Sequence, residues 1–399
     1  MAKNLNVPFL SESEFNSILE EKKVNIIVDC LFGTGFSGYP DEKSSEILLK
    51  VNSYDCIKIA CDIPSGINKN GIVYKNSKNE SLVFNADYTV TMGALKTALF
   101  SDAAKDFCGK IICAELGISE KVFNSLEKPS AFLLELSDIN FPFRKAKSSH
   151  KGTFGHAYVI PGEKPGAGLI AATSALEFGC GLSTVCDKFS DFSKIKIPMD
   201  LMYSSEIPNN VSAILLGSGF GRNQQNIDVA WDFIKQFSCN DKCSFVFDAD
   251  IFYYQKLPLL LQELKNQQVI LTPHPKELFY LLKLYDIKVD SVEEVIQNRF
   301  EFCKLFSEKN PNCVLVSKGA ITYICHQNQI FICDVGSVAL AKAGSGDVLA
   351  GMCLSLLAQG YDCVKAAQTA VYAHGIAASK CETNYGLTPS KLISLIKNK

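Results

Sequence analysis

Leu340-Ala341-Lys342-Ala343-Gly344-Ser345-Gly346-Asp347-Val348-Leu349-Ala350-Gly351 is the stretch whose reading decides the fold. Small residues lead into an acid, and apolar residues then recur at helical spacing at Leu349, Met352, Cys353, Leu356 and Leu357, before Gly360. These are the start and stop signals of a helix. The first N–H groups of a helix have no partner within it, and glycines let an anion approach them closely. Asp347, in the first turn, is favoured in its ionised form by the helix dipole. A carboxylate beside a phosphate cradle can take the proton from a hydroxyl as that hydroxyl attacks phosphorus. The stretch reads equally well as a glycine-rich turn with a capping Asp.

Outward from this helix, short apolar strands end in polar or glycine-rich loops. Cys313–Ser317 leads to Lys318-Gly319-Ala320, and Thr322–Cys325 with Ile330–Asp334 predicts a hairpin. Val269–Leu271 leads to Thr272-Pro273-His274-Pro275-Lys276-Glu277, and Ser244–Phe247 to Asp248-Ala249-Asp250. Ala213–Leu216 opens into Gly217-Ser218-Gly219-Phe220-Gly221, and His156–Ile160 into the loop 162–168. Alanine-rich helices are predicted over Leu169–Phe178 and Cys363–Lys380. Strands alternating with helices mean an α/β fold, a doubly wound and mainly parallel sheet. The C-terminal ends of its strands face one crevice. Each loop alone has a bland reading. His274 between two prolines could be purely structural, Lys318-Gly319 a solvated turn, and Asp248 and Asp250 caps or water holders around a metal. The glycine spacing near Gly217 is a weak dinucleotide signal by itself.

The earlier part of the chain repeats the pattern. Val24–Cys30 runs into Leu31-Phe32-Gly33-Thr34-Gly35-Phe36-Ser37-Gly38, Cys56–Cys61 into Asp62-Ile63-Pro64-Ser65-Gly66, and Asp87–Met92 into Gly93 and Lys96. Ile111–Glu115 is a fourth strand. Periodicity breaks around Ser137–Lys151, where Pro142 and a run of basic residues intervene. Two domains are expected, 1–140 and 141–399, both doubly wound and the first an incomplete Rossmann-like domain.

Composition narrows the function classes. The chain has 399 residues, 47% of them hydrophobic and 21% charged, with a formal net charge of −2. That charge gives no basic field for nucleic acid or an anionic membrane. No apolar run approaches a membrane span and no signal-peptide layout opens the chain. The 16 cysteines form no C-x-x-C pair, and five histidines give no zinc spacing. A reduced, cytoplasmic protein with no nucleic-acid or membrane partner is expected.

In order and spacing, several motifs of residues 145–395 resemble the ribokinase-superfamily domain of the ADP- or ATP-dependent NAD(P)H-hydrate dehydratases. They are His150-Lys151-Gly152, Pro165-Gly166-Ala167, Gly217-Ser218-Gly219-Phe220-Gly221, Asp248-Ala249-Asp250, Thr272-Pro273-His274-Pro275-Lys276-Glu277, Lys318-Gly319-Ala320 and Ala343-Gly344-Ser345-Gly346-Asp347. Ser218 departs from the proline usual in that family. Residues 20–135 are similar to the later part of an NAD(P)H-hydrate epimerase domain. The likeness rests on Asp29 with Leu31–Gly35, Asp62–Gly66, and Thr91-Met92-Gly93 with Lys96.

The resemblance implies repair of damaged nicotinamide cofactors. The hydroxyl of (6S)-hydrated NADH or NADPH would be phosphorylated from a nucleotide and then lost as phosphate. By motif, Asp347 would be the catalytic base, and Lys318, Gly319, Ala320, Thr322, Gly344, Ser345 and Gly346 would bind ADP or ATP. Ala167, Gly219, His274 and Asp347 would hold the hydrated dinucleotide. Magnesium is expected with the nucleotide. In the epimerase-like half, Gly33, Thr34, Gly35, Phe36, Ser37, Gly38 and Tyr39 would form a phosphate loop, and Asp62 would face the substrate. Asp29 and Ser65 would be potassium ligands. The family's opening helical stretch, first strand and Asn-Asn-Gly-Gly-Asp-Gly loop have no counterpart in residues 1–23, so the chain as written is expected to lack epimerase activity. Assembly into a homo-oligomer is also expected. The rivals are a small-molecule kinase of the hydroxymethylpyrimidine or thiazole type, which would release a stable phosphate ester, and a non-catalytic nucleotide-binding regulator.

Overall fold

The structure is a computed structural model and describes residues 8–21, 24–126, 128–193, 195–237 and 243–396. The chain divides into two units, 1–128 and 129–399. The first contains α1 (Glu12–Glu20), β1 (Ile26–Asp29), α2 (Glu42–Asn52), β2 (Ile57–Cys61), β3 (Tyr88–Met92), β4 (Lys110–Ala114) and α3 (Glu120–Leu126). Its strands pair in the order β1-β2-β3-β4, all parallel. On one face, Leu48 and Val51 of α2 pack with Ala60, Phe84 and Ala86. The other face leaves Ile26, Val28, Ile57, Tyr88 and Ile112 between 41% and 57% exposed. Parallel sheets are ordinarily covered on both faces.

The second unit begins with β5 (Phe132–Leu133), β6 (His156–Ile160), α4 (Pro165–Glu177), β7 (Leu182–Cys186), β8 (Met202–Ser204) and β9 (Ala213–Leu216). It continues with α5 (Gln224–Ile234), β10 (Ser244–Phe247), α6 (Leu257–Glu263), β11 (Val269–Leu271), α7 (Pro275–Leu284), α8 (Val292–Gln297) and α9 (Arg299–Lys309). The hairpin follows as β12 (Cys313–Ser317), β13 (Thr322–His326) and β14 (Gln329–Cys333), then α10 (Ser345–Ala358), α11 (Cys363–Ser379) and α12 (Pro389–Ile396).

Among the described residues, ten strands run in the order β5-β14-β13-β12-β11-β10-β9-β6-β7-β8. Only β13 is antiparallel to its neighbours. Val159, Leu215, Val246, Ile270 and Val314 join α4, α10, α11 and α12 in one core. Alternate strand residues face the opposite side, and there Ile214, Phe245, Phe247 and Leu271 are fully buried too. The sheet is covered on both sides, as the apolar strand runs predict.

The boundary differs from the expected one. Phe132 and Leu133 pair with Phe331 and Ile332, so this stretch belongs to the second sheet and the division falls at 128/129 instead of 140/141. A two-residue strand carries no periodicity from which to read it.

Candidate functional site

The second unit gathers its loops where sequence reasoning predicts a crevice. Gly344 caps α10 with φ +91, a left-handed conformation that a side chain would strain. The cradle is braced from below. Ser345 donates its hydroxyl to Leu340 O at 2.7 Å, and His374 Nε2 meets Ser345 O at 3.0 Å. Burial pushes His374 down to about 4, so its ring is neutral near pH 7 and the contact is Nε2–H donating to the carbonyl.

Lys318, at the end of β12, reaches across to this helix start. Its Nζ lies 3.3 Å from where a Cβ on Gly346 would stand. The same ammonium is 2.8 Å from Asp248 Oδ1 and 3.9 Å from Glu277 Oε2. Burial alone would lower its pKa, but the Asp248 and Glu277 charges outweigh burial and hold it raised. Asp248 also accepts from Thr272 Oγ1 at 2.6 Å and from Ser218 Oγ at 3.4 Å. The loop 318–321 is anchored from beneath by Arg299, which donates to Ser317 O and Ile321 O. Thr322 opens β13 directly after that loop.

Asp347 is the base candidate, and its surroundings suit the role. Burial, then the nearby Asp248 charge, raise its pKa to about 7, while a hydrogen bond from Ser218 and the Lys318 charge pull the other way. A carboxylate poised near neutral pH is what general-base work requires.

His274 proves to be structural first. Its Nδ1 accepts from the N–H groups of Lys276 and Glu277 and caps α7. Glu277 returns a bond, accepting from His274 N at 2.8 Å. An accepting Nδ1 leaves the proton on Nε2, which lies 3.1 Å from Glu277 Oε1. Burial, helped by Lys318, lowers His274 to about 4; burial raises Glu277 to about 7 against the pull of Lys318. Both ring nitrogens therefore serve the protein, and the ring itself is what remains for a ligand. Gly219 and Ala167 also meet. A Cβ on Gly219 would fall 2.4 Å from Lys164 O and 2.9 Å from Ala167 Cβ.

In the first unit, Asp29 receives Ser65 N and Ser65 Oγ, both at 2.7 Å, and Leu31 N at 3.1 Å. Asp62, at φ +73, receives Lys96 Nζ at 2.5 Å and Met92 N at 3.0 Å. Burial pushes this carboxyl up, yet Lys96 and the Met92 N–H outweigh it and the net shift is downward. At Gly33 and Gly35 an added Cβ would meet no atom within 4 Å, so protein packing does not demand glycine there.

The family described as NAD(P)H-hydrate dehydratase matches residues 157–399, and that described as YjeF-related protein N-terminus matches residues 1–98. The bifunctional NAD(P)H-hydrate repair enzyme Nnr of Helicobacter pylori is 42% identical over 388 residues, covering 96% of this chain and 77% of the relative. The chain belongs to the bifunctional NAD(P)H-hydrate repair enzymes. The Escherichia coli enzyme of that name is 29% identical over 389 residues, 94% of this chain and 71% of its own. Among solved structures, the ADP/ATP-dependent NAD(P)H-hydrate dehydratase of Bacillus subtilis, co-crystallised with ATP and magnesium, is 26% identical with a TM-score of 0.53. That match covers 63% of this chain and 91% of the other. A ribokinase-like protein of Enterococcus faecalis, 20% identical with a TM-score of 0.52, supports the fold; the match covers 67% of this chain and 94% of that one.

Magnesium commonly binds through one or two carboxylates plus substrate phosphates. Asp248 and Glu277, beside the cradle, fit that demand, and no larger cluster of three metal-ligating groups occurs among the described residues. Asp29 and Ser65 bring three side-chain oxygens together, two on the Asp29 carboxyl and the Ser65 hydroxyl that donates to Asp29 Oδ1 at 2.7 Å. Sequence reasoning offered Asp248 and Asp250 only as caps or water holders around a metal and gave Glu277 no role. The Glu three residues after a capping position was the available signal for Glu277.

Proposed function

We propose that the second unit dehydrates (6S)-hydrated NADH and NADPH at the expense of ADP or ATP, restoring the reduced cofactors. The observation that carries this reading is Asp347, a carboxyl with a pKa of about 7 at the head of a glycine-opened helix beside Lys318. The terminal phosphates of the donor lie against the N–H groups of Gly344, Ser345 and Gly346, along Lys318, Gly319, Ala320 and Thr322. The hydrated ring rests on Ala167, Gly219 and the ring of His274. Asp347 takes the proton of the ring hydroxyl as its oxygen attacks the terminal phosphorus and the bond to the nucleotide breaks. Preorganised N–H donors and Lys318 stabilise charge on the transferring group. The ring nitrogen's lone pair then expels phosphate from the adjacent carbon, and loss of a proton from the next carbon restores the double bond. Magnesium, held by phosphates with Asp248 and Glu277, would offset phosphate charge. In the first unit the same reading gives Gly33–Tyr39 the substrate phosphates and Asp62 the hydrated ring.

The test is incubation with hydrated NADH and ADP or ATP, following the return of dihydronicotinamide absorbance. Return that requires nucleotide supports dehydration. A stable phosphorylated hydrate would favour the small-molecule kinase, and untouched nucleotide a regulator.

A further inference from the structure

One group of side chains at the crevice mouth has no part in the reaction above. Arg222, directly after the Gly217–Gly221 loop, lays its guanidinium 3.6 Å from the centre of the Tyr253 ring. Its Nε donates to Asp250 Oδ1 at 3.2 Å, while Asp250 Oδ2 accepts from Gly221 N at 3.0 Å. Tyr253 in turn sits 4.5 Å from Tyr280 on α7, the helix that His274 caps. The side chain of Arg222 is 58% exposed, so the outer face of the guanidinium is open to solvent. Asp250 and Tyr253 lock its plane before any ligand arrives.

The hydrated dinucleotide is a two-ended molecule. Its nicotinamide end belongs at Asp347 and His274, and the donor nucleotide takes the Lys318 and Gly344–Gly346 side. The adenosine end must then extend away from the donor, and the chain that carries Gly219 continues directly into Gly221 and Arg222. Guanidinium planes and aromatic rings are stacking surfaces for bases. We infer that Arg222, backed by Tyr253 and oriented by Asp250, is the platform on which the adenine of the hydrated dinucleotide stacks. This rests on the dehydratase reading, and it adds the residue by which the enzyme favours a dinucleotide over its nicotinamide half. A planar, pre-held Arg offers this without paying the rotamer entropy of a free side chain.

The experiment compares wild type, Arg222→Ala and Arg222→Lys on two probes, hydrated NADH and hydrated reduced nicotinamide mononucleotide, which has no adenosine. Stacking of one base corresponds to about a ten- to hundredfold effect on binding. The preference for dinucleotide over mononucleotide, read as the ratio of KM values, should fall by that factor in Arg222→Ala, with the KM for ADP or ATP unmoved. Arg222→Lys should fall nearly as far, because it keeps the charge and loses the plane. Equal KM rises for both probes, no change in the ratio, or full recovery with Lys would each overturn the platform. A wild-type enzyme that leaves hydrated NADH untouched would contradict the dehydratase reading itself, and the platform with it.

Discussion

The Lys318 ammonium stands 3.3 Å from the point where a side chain on Gly346 would begin. Two strand-end motifs far apart in sequence thus share one small volume at the start of α10. An added methyl would force Lys318 aside by a few tenths of an ångström, which its flexible stem allows at little cost to folding. Gly346→Ala should leave the melting temperature within a few degrees and raise the KM for nucleotide by about ten- to hundredfold, the worth of one charge-assisted hydrogen bond. Unchanged nucleotide KM would separate Lys318 from the donor.

Gly344→Ala should behave differently. Its φ of +91 and a Cβ position 2.5 Å from Pro389 Cγ make the substitution strained in backbone and in packing. A left-handed residue with a side chain costs about 1–2 kcal/mol before the clash is counted. Thermal unfolding should show a clear loss of stability together with loss of nucleotide binding. A stable, active variant would mean that α10 starts elsewhere.

Most of the sheet was legible in the sequence because buried strands of four or five apolar residues, such as Ala213–Leu216 and Cys313–Ser317, end in loops of opposite character. The edge strands Phe132–Leu133 and Met202–Ser204 were not, since two or three residues show no period. The candidate site divides along similar lines. Asp347 and Lys318 sit in local motifs, but the neutral, capping state of His274 depends on where Glu277 and Lys318 arrive in space. The Arg222–Tyr253 stack joins a loop and a 3-10 helix, Ala249–Tyr253, that no sequence period links.

His274→Asn should separate the structural role of that residue from its ligand role. Asn is a good N-cap and keeps α7 capped, whereas Ala loses about 1 kcal/mol. Asn cannot offer the flat ring. The Asn variant should therefore melt near wild type while its KM for hydrated NADH rises severalfold and nucleotide affinity, measured by calorimetry, holds. A fall in nucleotide affinity with unmoved substrate KM would reverse the division of the crevice.

The pH dependence tests the surroundings of Asp347. With its pKa at about 7, the rate should fall as the pH drops through neutrality and the base becomes protonated. The Ser218 hydroxyl, 3.4 Å from Asp248 Oδ2, also acts on the Asp347 carboxyl and lowers its pKa, which the family's usual proline could not do. Ser218→Ala should move the acidic limb of kcat/KM to higher pH. A limb that stays in place would remove Ser218 from the electrostatics of the base.

The raised pKa also makes the fold itself pH-sensitive. Asp347 ordinarily titrates near 3.8 and here at about 7, so folding favours the protonated form. That preference is fully present below about pH 4 and is lost as pH rises through 7, a difference of about 4 kcal/mol. Asp347→Asn lacks this penalty. Its advantage in melting temperature over wild type should grow between pH 5 and pH 7.5 and then level off. A constant difference across that range would show that Asp347 is not held in a desolvated site.

Turnover of hydrated NADH by that same variant tests the central claim most directly. Asn keeps the size of Asp347 and cannot accept the hydroxyl proton. With nucleotide affinity confirmed by calorimetry, Asp347→Asn should restore dihydronicotinamide absorbance about 10²–10⁴-fold more slowly than wild type. Turnover near the wild-type rate in the folded, nucleotide-bound variant would contradict the assignment of Asp347 as the base.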